Sequence, residues 1–281
     1  MIETAGWITR ALYSTSTLLA AGFALLCLFT ILDDRRTTAT LQKWCVRLSI
    51  IGLIIPLAWA ATLVAELGGE WSATHDTYYY QIIWSGPAVE LMLWRSLAFI
   101  GLICWSKFAT HGWLGILSAV AATFSFSRYG HSLSDPTVVR SLLLTLHLSV
   151  IAWWFAVVPT LLWLYKYQPN RAPKLGTRFG AQAKYAVLIA LICGIALSGL
   201  QLASIQWSLQ NSYTQALLIK LAFVTAILCI AAFNYMRAFH PSYTNSSSLE
   251  KKIVSILRLD LVLFLFVVAI STWLTGPASN S

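Results

Sequence analysis

The sequence predicts an all-α polytopic membrane protein, a bundle of eight transmembrane helices with both termini outside, on three observations. Of its 281 residues 58% are hydrophobic and only 10% charged, too little polar surface to clothe an ordinary water-soluble domain. The apolar residues gather into runs of about 20, the length a helix needs to cross ~30 Å of hydrocarbon. The basic residues gather in alternate connections between those runs. A β-barrel would instead alternate in segments of about ten residues, and no such segment occurs.

The runs fall at 11–32, 45–66, 87–107, 112–129, 139–165, 185–207, 215–236 and 253–274. Helix is required because each backbone polar group in lipid must be satisfied within its own segment. Breaker stretches separate the runs: DDRRTT after the first, LGGEWSATHD after the second, RYGHSLSDP after the fourth and YQPNRAPKLG after the fifth. Short connections at 108–111 and 208–214 make tight hairpins. The first run lacks a positive leader and a small-residue cleavage pattern, so it reads as a helix and not a signal peptide. No repeat and no soluble segment of useful size interrupts this single integral-membrane domain, 1–281.

Orientation follows from charge. The first, third, fifth and seventh connections and their flanks hold 14 of the 19 Lys and Arg, which makes them cytoplasmic by the positive-inside rule. The net charge of +9 is then a topology signal and gives no reason to expect a nucleic-acid partner. Trp7, Trp44, Trp71, Trp84, Trp207 and Trp273 fall at expected interfaces with membrane lipid. Cys27, Cys45, Cys104, Cys193 and Cys229 lie in or at the ends of helices without paired spacing, so a disulfide framework is not expected.

Histidine carries more information. His75 lies beside Asp76 in an outward loop, His131 lies in the outward turn after the fourth helix, and His147 lies about 12 Å down the fifth. A histidine inside a span is often a helix-to-helix hydrogen bond. It is also a functional-site candidate, because neutral imidazole is the commonest metal ligand. Arg140, Leu144, His147, Ile151 and Trp154 share one stripe at spacings of three, four and seven. That stripe sets His147 beneath the 127–140 connection that carries His131 and Asp135.

The stretch GHS, at 130–132, followed by LHLSVIAWW resembles the GHA and LHxxAxxxW elements of the CopD/PcoD family of copper-resistance inner-membrane proteins, which includes the YcnJ copper-uptake proteins. Further elements follow in the family's order: Trp94 and Arg95, Arg178 and Phe179, SGL at 198–200, SYTQALLIKLAF with Tyr213 and Lys220, AAFN ending at Asn234, and LRLDL before a last helix closing in TGP. Two departures stand out. Ala156 and Val157 replace a Gly-Gly, which bears on how closely helices pack there, and Asp260 replaces the usual Glu of the last helix.

The resemblance implies copper transport, with import the expected direction, across a bacterial cytoplasmic membrane, alongside a periplasmic CopC-type carrier. The protein is then no enzyme, its termini are periplasmic, and it serves copper homeostasis and resistance. The copper ion, Cu(I) or Cu(II), accepts imidazole in either state. His131 and His147 are the primary expected ligands, with His75, Asp76, Asp135, Glu90 and Met92 as candidate additional ones. Only three methionines occur, so a methionine ladder is not available.

Arg95, Trp154, Lys220, Asn234 and Asp260 are expected to serve structure or pathway. The buried charges are expected to pair as Glu90 with Lys220 and Arg95 with Asp260, and the Trp154 indole to pack beneath the copper site as a face for a cation. Two rival readings stay open: a membrane oxidoreductase with haem on transmembrane histidines, and a copper-binding membrane protein that does not transport.

Overall fold

Asp34 shows how local chemistry sets the frame. Its carboxylate accepts the backbone N–H groups of Arg36 and Thr37 at 3.1 Å each, ending one helix connection and starting a helix ten residues earlier than hydropathy places it. A computed structural model describes residues 1–30, 32, 34–108, 112–128, 137–202, 212–238 and 247–274. Those residues form nine α-helices: α1 (Ile2–Phe29), α2 (Arg35–Gly68), α3 (Thr77–Trp84), α4 (Pro87–Phe108), α5 (Gly112–Phe124), α6 (Val138–Tyr167), α7 (Ala172–Leu202), α8 (Ser212–Ala238) and α9 (Ser247–Leu274). No strand is found among them.

The described part of each of the eight apolar runs is helical, so the all-α class holds. Six segments are long and apolar enough to cross a membrane, namely Ile2–Phe29, Arg35–Gly68, Pro87–Phe108, Val138–Tyr167, Pro169–Leu200 and Lys251–Leu274. The apolar part of α8, Leu217–Phe233, is shorter, and α5 has only 13 residues before a 3₁₀ turn, Ser125–Arg128, continues it. Several helices outrun their apolar runs: α1 begins near residue 2 instead of 11, and α7 at 172 instead of 185. Their first turns carry polar and charged residues, Glu3 in α1 and Lys174 in α7, which a hydropathy window discards.

The short helix α3 was expected to be loop. Asp76 caps it, its Oδ1 accepting the Tyr78 N–H at 2.8 Å, and TYYYQIIW supplies the turns that follow.

The bundle is built around α1, which packs against α2, α4, α5, α6 and α9. Its polar residues suit that position because they bond to their own helix: Ser16 and Thr17 both donate to the Tyr13 carbonyl, at 2.9 and 2.7 Å. One close approach is to α6. A Cβ on Gly22 would strike the Ala152 carbonyl and come within 2.9 Å of the Ala156 Cβ. Small residues let helix backbones meet where lipid gives no hydrophobic drive. Ala156, expected to bear on how closely helices pack there, is therefore no obstacle, because Gly22 on the opposing helix supplies the space.

At the other side, α7 packs on α6 and α8 on α9, while α6 and α9 pack together and α7 and α8 scarcely touch. The last helix also closes on the first: Trp7 Nε1 donates to the Ala269 carbonyl at 2.9 Å. Near α2, the Asp34 carboxylate also pairs with Arg171, in the α6–α7 connection.

Candidate functional site

His147 is held by α7. Its Nδ1 lies 2.9 Å from the carbonyl oxygen of Ala190. A carbonyl only accepts, so Nδ1 carries the proton and Nε2 keeps a free lone pair. The same device fixes the tautomer of metal-bound histidines. The ring can come this near α7 because residue 194 is glycine, where a Cβ would stand 3.2 Å from the imidazole Cε1.

Lys220 of α8 lies within Coulombic range of the same ring. By helix rise His147, Gly194 and Lys220 are each about 12–14 Å from the 137, 202 and 212 ends of their helices. The three positions therefore lie at similar distances along their helices from those ends.

The other expected ligands are not gathered there. His75 and Asp76 are exposed in the segment before α3, whose contacts run to α2 and α4, and Asp76 is occupied as a helix cap. Glu90 pairs with Arg128, Oε1 lying 2.6 Å from Nη2 and 2.7 Å from Nε, so the expected pair with Lys220 is replaced. Met92 packs half-buried against the core. Among the described residues no group of three His, Cys, Asp or Glu stands ready for a metal ion. His131 and Asp135 lie outside the described residues, as does the side chain of Asn234, whose backbone belongs to α8.

The second expected pair, Arg95 with Asp260, is also replaced. Arg95, 3% exposed, lies between two rings, its Cζ 4.5 Å from the Tyr13 centroid and 4.0 Å from that of Phe126. Its Nε donates to Ser125 Oγ at 2.9 Å. Asp260 is buried on α9 with Oδ1 unpartnered. Trp154 packs into the core, its indole edge-on to Phe264 at 5.8 Å. It was expected beneath a cation, and its neighbour is instead an aromatic ring.

Sequence reading missed the partners that organise these side chains. The Ala190 carbonyl is backbone and leaves no pattern, although Gly194 in an apolar helix was a visible sign of close approach. Arg128 was visible as a charge at the end of a run, and its distance from Glu90 in sequence hid the pair.

An all-helical protein with several membrane-crossing helices and a histidine fixed between two of them is a polytopic membrane protein with a candidate ligand inside the bundle. Residues 173–274, spanning α7 to α9, match the family model described as CopD, Copper resistance protein D. The match covers 102 of the 281 residues, so this part of the chain is similar to the CopD copper-resistance family and supports membership in it. The matched region includes Ala190, Gly194, Lys220 and Asp260, while His131 and His147 precede it. No curated protein and no solved structure matches the chain.

Proposed function

We propose that this protein carries copper across the bacterial cytoplasmic membrane, inward, and that His147 is a ligand on the route. One observation carries the reading: an imidazole set between membrane helices, proton on Nδ1 and lone pair on Nε2, in a chain whose last three helices match a copper-resistance family. A histidine kept only to join helices needs one bond. This one makes that bond and keeps its second nitrogen available for a metal.

In this reading eight helices cross the bilayer, α5 and α8 with them, and both termini are periplasmic. His131 joins His147 from the connection after α5, and a small periplasmic carrier of the CopC type delivers the ion. The Lys220 charge beside His147 disfavours a resident cation, which suits a site that must pass its cargo on.

The test is copper uptake by vesicles holding the parent protein or the His147→Ala variant. Uptake by the parent that falls at least about tenfold in the variant supports the reading, a loss of at least about 1.4 kcal/mol of copper interaction. Equal uptake removes His147 from the route. A Soret band in the purified protein would turn the assignment to haem.

A further inference from the structure

Three cations on α2 stand apart from the ion pairs described above. Arg36, Lys43 and Arg47 recur at spacings of seven and four, which puts them on one face of the helix, and all three are exposed. The opposite face, with Thr37, Leu41, Cys45 and Ser49, is buried. None of the three forms an ion pair with a described residue, since Asp34 meets Arg36 only at its backbone N–H and gives its charge to Arg171. The next acid along α2 is Glu66, about 28 Å beyond Arg47 by helix rise. The face is positive and uncompensated.

Toward the middle of α2 the same face continues as Ile50, Ile54 and Leu57, all exposed, so the cations stand at one end of a stripe suited to acyl chains. Beside them a row of rings runs from α1 through α2 to α6, Phe23 to Trp44 at 5.3 Å, Trp44 to Trp163 at 6.1 Å and Trp163 to Tyr167 at 5.9 Å. Tryptophan and tyrosine gather at the level of lipid headgroups. The row ends at a further exposed cation, Lys166, whose Nζ lies 5.1 Å from the Tyr167 ring centroid, and α6 carries no acid. Positive charge, interfacial rings and an apolar stripe meet here.

We infer that this face of α2 is a binding site for an anionic phospholipid. Lys43 and Arg47, one turn apart, take the phosphate, the arginine as a planar fork and the lysine as a point charge. Both side chains are long enough to extend toward the headgroups while their stems stay against apolar surface. Ile50, Ile54 and Leu57 lie along an acyl chain, and Trp44 stands beside the headgroup. A zwitterionic headgroup brings its own cation next to the phosphate, which the two side chains repel. An anionic headgroup brings none, and that difference sets the preference.

Native mass spectrometry of the full-length protein in detergent, titrated with phosphatidylglycerol or phosphatidylcholine, tests this. The first phosphatidylglycerol should bind the parent at least about fivefold more tightly than the first phosphatidylcholine. Lys43→Gln combined with Arg47→Gln should abolish that preference and leave phosphatidylcholine binding as it was, which shows the fold intact. The charge-keeping pair, Lys43→Arg with Arg47→Lys, should retain it. So should Lys251→Gln with Lys252→Gln, which removes two exposed cations from α9. A parent that binds the two lipids equally overturns the site, and so does a preference that survives in the first glutamine pair or is lost as fully in the second. Inorganic phosphate at matched ionic strength should leave the lipid bound. If it displaces phosphatidylglycerol, the face takes a soluble anion and the lipid assignment is overturned.

Discussion

Glu90 and Arg128 join α4 to the 3₁₀ turn after α5 with a 2.6 Å ion pair. The pair is 43% and 31% exposed at its two side chains, so its worth is that of a screened pair, about 0–1 kcal/mol. Glu90→Gln should cost less than about 1 kcal/mol in thermal unfolding. A charge swap, Glu90→Arg with Arg128→Glu, should recover most of whatever is lost. Loss well beyond that range would mean that Glu90 does more than hold Arg128.

Asp34 supplies a dependence on acidity. The Arg171 guanidinium beside it, with the N–H groups of Arg36 and Thr37 and the Thr37 hydroxyl, holds its carboxyl well below the usual carboxylate range. A carboxyl depressed in the folded state stabilises above its unfolded value, near 3.9, and loses that contribution as pH falls toward the folded value. The melting difference between the parent and Asp34→Ala should therefore be constant from about pH 7 to 5 and shrink below about pH 4. A difference that grows on acidification would contradict the assignment.

Arg95 allows size and charge to be separated. Its guanidinium stacks between the Tyr13 and Phe126 rings, and buried cation–π contacts are worth about 2 kcal/mol or more. Arg95→Ala removes the stack and leaves a cavity, so unfolding should show a cost of about 2–5 kcal/mol. Arg95→Met fills the space without a buried charge and should cost less. If methionine proves as damaging as alanine, the charge itself has a task beyond packing.

Gly194 sets the position of the His147 ring. Gly194→Ala places a Cβ 3.2 Å from Cε1, tight enough that the ring must give by a few tenths of an ångström, which loads its bond to the Ala190 carbonyl. Disturbing the bond that orients a metal-bound histidine typically costs about 10–100-fold in affinity. Copper affinity measured by competition should fall by about that factor while the helical content stays unchanged. An unaltered affinity would separate the Ala190 bond from copper recognition.

The helices were legible because hydrophobic length is one-dimensional information. Polar turns at the starts of α1, α2 and α7 were not, since their capping and charge depend on neighbours such as Asp34 and Arg171. Pairing among buried charges was misread for a related reason. Depth can be counted from helix rise, but rotation about each axis decides whether Glu90 meets Lys220 or Arg128, and packing alone fixes rotation. His147 was found because an imidazole stands out among Leu and Trp. Its partner was hidden because Ala190 contributes only backbone.

The place of α1 at the centre of the bundle has a consequence for biosynthesis. This helix leaves the ribosome well before α9, whose Ala269 carbonyl receives the Trp7 indole. Between those moments the faces of α1 destined for α6 and α9 must be covered by lipid or by other protein. The packing around α1 is therefore completed only when α9 docks, and the newborn chain is most open to quality control before that moment.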